Sequence, residues 1–195
     1  MTENHISYAH ILKKAFDPYF PAPIEAWMDF ANKCTQINLA KEFLLKEAYT
    51  SAKDFYFIIE GSIGVFLWKD NQEACLDFAF ENNFVGDYMS VLTGKPTPLI
   101  VKTLEAVKLL AIKREDYLQL GNTEIGMILM RAAAESSYIH KQQQQIDLLT
   151  KTAKERYEEL QKIQPQLIQR VAQKYLASYL GITPQSLSRI RAELY

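Results

Sequence analysis

The sequence changes its period near Arg114, and few architectures accommodate both halves of that change. From Cys34 to Lys113 it runs in short bursts of aromatic and β-branched residues separated by turn-forming ones: Phe55–Ile59, Ile63–Trp68, Ala74–Phe80, Ile100–Thr103 and Val107–Ile112. Four of the seven glycines fall between Gly61 and Gly94, where tight turns and close backbone approaches need them. From Asn122 to Thr150 there is no proline and a single internal glycine, Gly126. Short strands at this spacing followed by a sustained helical pattern predict an α+β chain. Its N-terminal part is expected to be an antiparallel β-roll of the double-stranded β-helix or jelly-roll type, followed by a long helix over about 114–150 and a small all-α unit. Ahead of the strands, helices are expected around Ser7–Phe16 and Ile24–Lys33, separated by Asp17-Pro18, Pro21 and Pro23.

Charge divides the chain at nearly the same place as the helix end. Residues 151–195 hold eight basic and four acidic side chains, a net of +4. Subtracting these from totals of 22 and 23 leaves 14 basic and 19 acidic residues in the first 150, a net of −5. A basic tail on an acidic body points to a polyanion-binding end, although a small charged helical unit can carry such a surplus as ordinary surface. Two units are therefore expected, 1–150 with the roll and the long helix, and 151–195.

The long helix carries a 4-3 pattern at positions 125, 129, 132, 136, 139, 143, 146 and 150. Ile125, Leu129, Ala132, Ile139 and Ile146 make an apolar seam, interrupted by Ser136, Gln143 and Thr150. Such a helix spans roughly 40 Å, more than a small roll needs for its own cover. The seam is expected to pair with its twin in a homodimer; a core helix lying on the roll is the alternative.

The last thirty residues hold the most specific pattern. Around Ala177 as the small residue of a helix crossing, Leu176, Leu180, Ile182, Leu187 and Ile190 occupy the apolar positions of a helix-turn-helix. Gly181 stands where the sharp turn needs a residue tolerant of positive φ. Thr183 reads as an N-cap and Pro184 as a first-turn residue of a helix running Gln185–Arg191. Its outer face would present Thr183, Gln185, Ser186, Ser188, Arg189 and Arg191, which are short, polar or positive, as entry into a DNA major groove requires. Arginine pairs in bidentate fashion with guanine and glutamine with adenine. An αα-hairpin with an accidental polar face is the bland alternative. Lys174, at the start of the preceding helix, is expected against phosphate.

Taken together, Phe57-Ile-Ile-Glu-Gly61, Phe84-Val-Gly-Asp87, the long helix and Tyr179-Leu-Gly-Ile-Thr-Pro-Gln-Ser-Leu-Ser-Arg-Ile-Arg191 resemble a transcription regulator of the Crp/Fnr family, over nearly the whole chain from about Phe20. The resemblance implies a cyclic-nucleotide-binding-like roll, a dimerising helix and a C-terminal DNA-binding unit. It also implies double-stranded DNA with an inverted-repeat site as partner, a second copy of the chain, and RNA polymerase as a further contact. Family members hold their ligand with a Gly-Glu-Leu segment and, some ten residues later, Arg-Ser/Thr-Ala. Here these align with Gly86-Asp87-Tyr88 and Thr97-Pro98-Leu99. The arginine is missing and Pro98 removes a backbone donor, so a phosphate would lack its partner and cyclic AMP is not expected to bind. Lys95 and Lys102 are expected as solvated charges, and Lys141 and Gln142 near the place of the purine. Many family members add a two-stranded wing after the recognition helix. None is expected in the residues up to Tyr195, so Lys174, Arg170 and the recognition-helix N-terminus would carry more of the phosphate contact.

Other chemistries find little footing. Cys34 and Cys75 fall short of the roughly four cysteines of an iron–sulfur site, and His5, His10 and His140 are dispersed, so no metal or cofactor is expected. There is no Ser/His/Asp arrangement and no phosphate loop, so the chain is not read as an enzyme. With no apolar run of about 18 residues and no signal pattern at Met1–Phe20, no membrane association and a cytoplasmic location are expected. The leading reading is a homodimeric, sequence-specific DNA-binding regulator with an unidentified effector. Its rival is a small-molecule-binding roll whose helical tail no longer reads DNA.

Overall fold

The computed structural model describes residues 3–69 and 71–194. Two helices, α1 (Glu3–Phe16) and α2 (Ile24–Asn32), lead into eight strands. These are β1 (Cys34–Leu39), β2 (Leu44–Lys46), β3 (Asp54–Glu60), β4 (Ile63–Lys69), β5 (Gln72–Ala79), β6 (Phe84–Val85), β7 (Leu99–Thr103) and β8 (Val107–Lys113), with a short helix α3 (Tyr88–Thr93) between β6 and β7. They form two antiparallel four-stranded sheets, ordered β1-β8-β3-β6 and β2-β7-β4-β5. This is the expected α+β roll.

Sequence adjacency misleads at one joint. The runs on either side of Glu60-Gly61-Ser62 do not pair with each other: β3 bonds to β8 and β6, while β4 bonds to β5 and β7. The link crosses from one sheet to the other, and Gly61 makes the crossing at φ 94°, where an added Cβ would lie 2.5 Å from the Ala106 carbonyl oxygen. Between the sheets lie Ile58, Ile63, Val85, Val101, Val107 and Leu109, all buried. A second cluster joins Leu12, Trp27, Phe30, Phe55, Phe57 and Ile112, so α1 and α2 close one face of the roll. Phe57 and Ile58 are fully buried, each worth about 1.5–3 kcal/mol relative to exposure.

The helix expected from about 114 is two helices, α4 (Arg114–Leu120) and α5 (Glu124–Thr150). The break lies at Gly121–Thr123, where Thr123 Oγ1 caps α5 by accepting from the Gly126 amide at 3.0 Å. Gly126 is glycine because a Cβ there would come within 2.0 Å of the Leu120 carbonyl oxygen as the chain doubles back. After α5 come α6 (Ala153–Ile163), opened by a Thr152/Glu155 capping box, α7 (Pro165–Arg170), α8 (Gln173–Tyr179) and α9 (Pro184–Leu194).

The expected seam is packed at its N-terminal end and open further along. Ile125 and Leu129 pack against the core beneath α1 and α2, Ala132 is half-buried, and Ile139 and Ile146 are exposed. Further along, the open face of α5 displays Tyr138, Ile139, Ile146 and Leu149 at 44–81% exposure.

Although α5 ends at Thr150, packing does not respect that boundary. Phe66, Cys75, Phe80, Ile100 and Leu104 of the roll share one buried cluster with Tyr157, Leu167, Val171, Tyr175, Leu176, Ala177, Leu180 and Leu187. The Phe66 and Tyr175 rings lie 4.9 Å apart and those of Phe78 and Tyr179 5.2 Å apart, and Ser178 Oγ accepts from the Cys75 amide at 2.8 Å.

Candidate functional site

Two places collect the side chains singled out in the sequence. The first is α8, the turn after it, and α9. Gly181 has φ 69°, and an added Cβ would meet nothing within 4 Å, so backbone conformation and not crowding demands glycine there. Thr183 Oγ1 accepts from the Ser186 amide at 3.1 Å, the cap read from sequence. Leu187 is buried with Leu176, Ala177 and Leu180, which pins α9 across α8. Thr183, Gln185, Ser188, Arg189 and Arg191 are exposed and Ser186 is half-buried.

One contributor escaped the sequence reading. Gln173 Nε2 donates to Ser188 Oγ at 2.7 Å and to the Pro184 carbonyl at 3.3 Å, tying the start of α8 to α9. It leaves the Ser188 hydroxyl its own proton to donate outward.

The eight basic side chains of 151–195 fall into two groups. Lys151 pairs with Asp147 at 3.1 Å, Lys154 pairs with Glu193 at 3.0 Å, and Arg156 reaches the Lys151 and Leu180 carbonyls, each at 2.6 Å. Arg170, expected against phosphate, is instead turned onto the roll. It grips Glu81 through two bonds of 2.7 and 2.8 Å and Glu105 through Nε at 3.0 Å. That guanidinium holds the Glu81 carboxyl down to about 2. Lys162, Lys174, Arg189 and Arg191 make no ion pair among the described residues. Lys174 is exposed, with Nζ 4.5 Å from the centre of the Tyr175 ring.

The second place is the segment Gly86–Leu99, and here the expected residues separate. Gly86, Tyr88, Leu99 and Lys141 line an open cleft of about 1930 Å³ between the roll and α5, with Phe55, Phe84 and Tyr117 among its other walls. Asp87 and Thr97 lie in the interior, Pro98 is half-buried, and Gln142 is exposed on α5. Lys141 Nζ pairs with Asp77 Oδ2 at 2.6 Å, and Gln144 Nε2 donates to the Leu76 carbonyl at 3.1 Å, so this stretch of α5 is moored to β5.

Asp87 caps α3, its Oδ1 accepting from the Ser90 amide at 3.0 Å. Its Oδ2 accepts from the Thr97 hydroxyl and pairs with Lys46 Nζ at 3.1 Å. Lys46, which the sequence did not suggest, is 5% exposed in its side chain and Asp87 0%. Alternation along β2 would put Lys46 on the same face as exposed Leu44. A register shift between Leu44 and Lys46 turns it inward instead.

Lys102 is likewise not a solvated charge. It pairs with Glu73 and, at 3.7 Å, with Glu42, and stands 4.7 and 4.8 Å from the Phe66 and Tyr175 ring centres. Burial works against its charge, but the Glu73 carboxylate and the Tyr175 hydroxyl outweigh it and raise the lysine's pKa. Lys95 is exposed, as expected. Both cysteines are buried, which pushes the Cys34 thiol up to about 12 and raises that of Cys75 as well. No cluster of metal-ligating side chains occurs among the described residues, and none of their helices is long and apolar enough to cross a membrane.

Residues 39–124 match the cyclic nucleotide-binding domain. No curated protein sequence is significantly similar to the chain. Among solved structures, the chain is similar to the c-di-GMP responsive global regulator CLP of Xanthomonas campestris, at 17% identity and TM-score 0.70 over 88% of this chain and 91% of that one. It is similar to FixK2 of Bradyrhizobium japonicum, at 17% identity and TM-score 0.69 over 83% and 84%. It also resembles the catabolite activator protein of Thermus thermophilus, at 20% identity and TM-score 0.57 over 92% and 85%. At these identities the likeness is one of fold.

Proposed function

We propose that the chain is a homodimeric, sequence-specific DNA-binding transcription regulator of the Crp/Fnr type, built as a roll with its long helix (1–150) and a helix-turn-helix unit (151–195). The observation that carries this reading is the contrast within one basic region. Most cations near the roll are held by carboxylates or carbonyls, whereas Arg189 and Arg191 stand exposed beside Gln185 on a helix anchored by Leu187. A helix pinned by one buried leucine and offering a polar, positive outer face has the geometry for a major groove. Thr183 and Ser186 at its start would contribute amide and hydroxyl contacts to phosphate. The fold shared with CLP, FixK2 and the catabolite activator protein supports the same reading.

Two-fold pairing would use the exposed face of α5 around Tyr138, Ile139, Ile146 and Leu149, setting the two recognition helices about one DNA turn apart, roughly 34 Å. The cognate site would then be an inverted repeat. Such a regulator works in the cytoplasm, engages RNA polymerase and has no catalytic role. The effector is not assigned, and cyclic AMP is not expected to be it. The open cleft between the roll and α5 supports small-molecule binding, which the second reading, a sensor whose helical tail no longer reads DNA, also requires.

Selection of bound sequences from a random duplex pool, followed by gel shift and sedimentation, separates the two. Enrichment of an inverted repeat, bound by a dimer that Ile139→Glu converts to monomer, is the expected result. Failure to enrich any sequence would favour the sensor, and a wild-type monomer at micromolar concentration would remove the α5 pairing.

A further inference from the structure

Lys46 is a buried cation of β2 whose ammonium reaches the segment aligned with a ligand cassette, and its surroundings are complete. Its three N–H groups face five acceptors. These are the Leu99 carbonyl at 2.8 Å, Asp87 Oδ2 and the Glu47 carbonyl at 3.1 Å, Thr97 Oγ1 at 3.2 Å and the Thr97 carbonyl at 3.5 Å. Asp87 is equally satisfied, by the Ser90 amide, the Thr97 hydroxyl and Lys46. The cluster is neutral, closed to solvent and without an unmet donor or acceptor on either charged group.

Asp87 and Thr97 are also the two residues that align with the acid and the arginine by which ligands are held in the family this chain resembles. The ammonium lies within 3.1–3.2 Å of both. A ligand bridging those two positions would need the space the ammonium fills. It would also have to break a fully paired buried charge cluster, leaving one ion uncompensated in a low-dielectric interior.

We propose that Lys46 is a resident occupant of this cassette, a side chain of the protein standing where a ligand would stand, so that the roll is held in one arrangement without a bound nucleotide. Lys46 thereby decides specificity by exclusion: cyclic nucleotides and other anions are refused at Asp87 and Thr97, and any effector enters elsewhere, the cleft beside α5 being the open route. This inference uses the preceding reading only to identify the cassette. Its test needs no DNA, so the two fail independently.

The test is thermal unfolding of the full chain, wild type and variants, in millimolar n-propylammonium, with sodium and tetramethylammonium at matched ionic strength as controls. Lys46→Ala empties a lysine-shaped space against an unpaired carboxylate, and its melting temperature is expected to fall by on the order of 10 °C. n-Propylammonium, the part of the lysine side chain that alanine lacks, should restore part of that loss, while the control cations and cyclic AMP should not. Wild type should respond to neither. If Lys46→Ala fails to fold, Lys46→Met/Asp87→Asn, which removes both charges at similar volume, should fold and be insensitive to the amine.

Four results would overturn the proposal. They are a Lys46→Ala protein as stable as wild type, a destabilised one that no amine rescues, a double variant no better than an unfolded single one, and cyclic AMP binding by wild type that Lys46→Ala abolishes. The last would make Lys46 a phosphate anchor and not an occupant.

Discussion

The outer face of α9 and the Asp87–Thr97 cluster present similar inventories, a charged residue with hydroxyls near it, yet they stand in opposite conditions. Arg189 lies exposed and makes no ion pair among the described residues, while Asp87 is enclosed, with Lys46, Thr97 and Ser90 on its two oxygens. Polar groups already paired inside the fold contribute to stability; polar groups left to water remain available to a partner. Residue identity alone does not distinguish the two. What distinguishes them is whether another part of the chain has arrived first.

The comparison predicts a crossed pattern of mutational effects, and its strong arm is the enclosed site. Asp87→Ala strands the Lys46 ammonium in the interior and should cost about 3–5 kcal/mol in urea unfolding. DNA affinity per folded molecule should stay the same. A loss below about 1 kcal/mol would mean that water reaches Lys46 and the cluster is not closed.

The complementary arm is Arg189→Ala. It should leave unfolding within about 0.5 kcal/mol of wild type and cost about 1–3 kcal/mol on a selected inverted repeat, much less on scrambled DNA. Equal losses on both DNAs would make Arg189 a phosphate clamp and move the reading face elsewhere on α9.

Much of the first region was legible because its determinants are local. Leu176, Ala177, Gly181, Thr183 and Leu187 fall within twelve positions, and helix geometry converts that spacing directly into a crossing and a turn. The cassette segment was legible as a segment, and the loss of its arginine was visible. Its occupant was not, because Lys46 arrives from about fifty residues away through the β2–β7 pairing, and the register shift beside it defeats simple alternation. Arg170 and Lys102 were misread for a related reason. Both look like surface cations until α7 and α8 dock on the roll, and that docking is a tertiary event with no sequence period. The break before α5 did have local signals in Gly121 and the Thr123 cap, overridden by the absence of proline nearby.

Between the two regions stands Arg170, which belongs to the C-terminal helices in sequence and to the roll in its contacts. Its grip on Glu81 gives the junction a pH dependence with a definite sign. Glu81 has its pKa lowered from 4.5 to about 2 in the folded chain, chiefly by hydrogen bonding to Arg170. The stabilisation is therefore fully present above the ordinary carboxylate range and is lost as pH falls from about 4.5 toward 2. Glu81 is about a third exposed, so solvent screening reduces the contribution to on the order of 1 kcal/mol. Glu81→Gln should flatten the acid limb of the stability profile in that interval and leave the neutral region nearly level with it. An unchanged acid limb would show that Glu105 alone can hold Arg170.

The smallest effect, and the one that refines the exposed face most, concerns Lys174. It lies in the first turn of α8, the helix that in this motif crosses the DNA backbone instead of entering the groove. Its ammonium rests above the Tyr175 ring and carries no ion pair among the described residues, so it is free to meet a phosphate but badly placed for a base edge. A phosphate contact releases counterions and is blind to sequence. Lys174→Ala should therefore weaken selected and scrambled DNA alike, by about 1 kcal/mol or less near physiological salt, and lower the slope of log affinity against log salt by about one. Arg189→Ala should instead change the ratio of the two affinities. Titrations of both variants on both DNAs at several salt concentrations resolve the pair. A salt slope unchanged in Lys174→Ala would show that α8 does not face the backbone, and with it that the exposed surface of this unit is oriented differently on DNA.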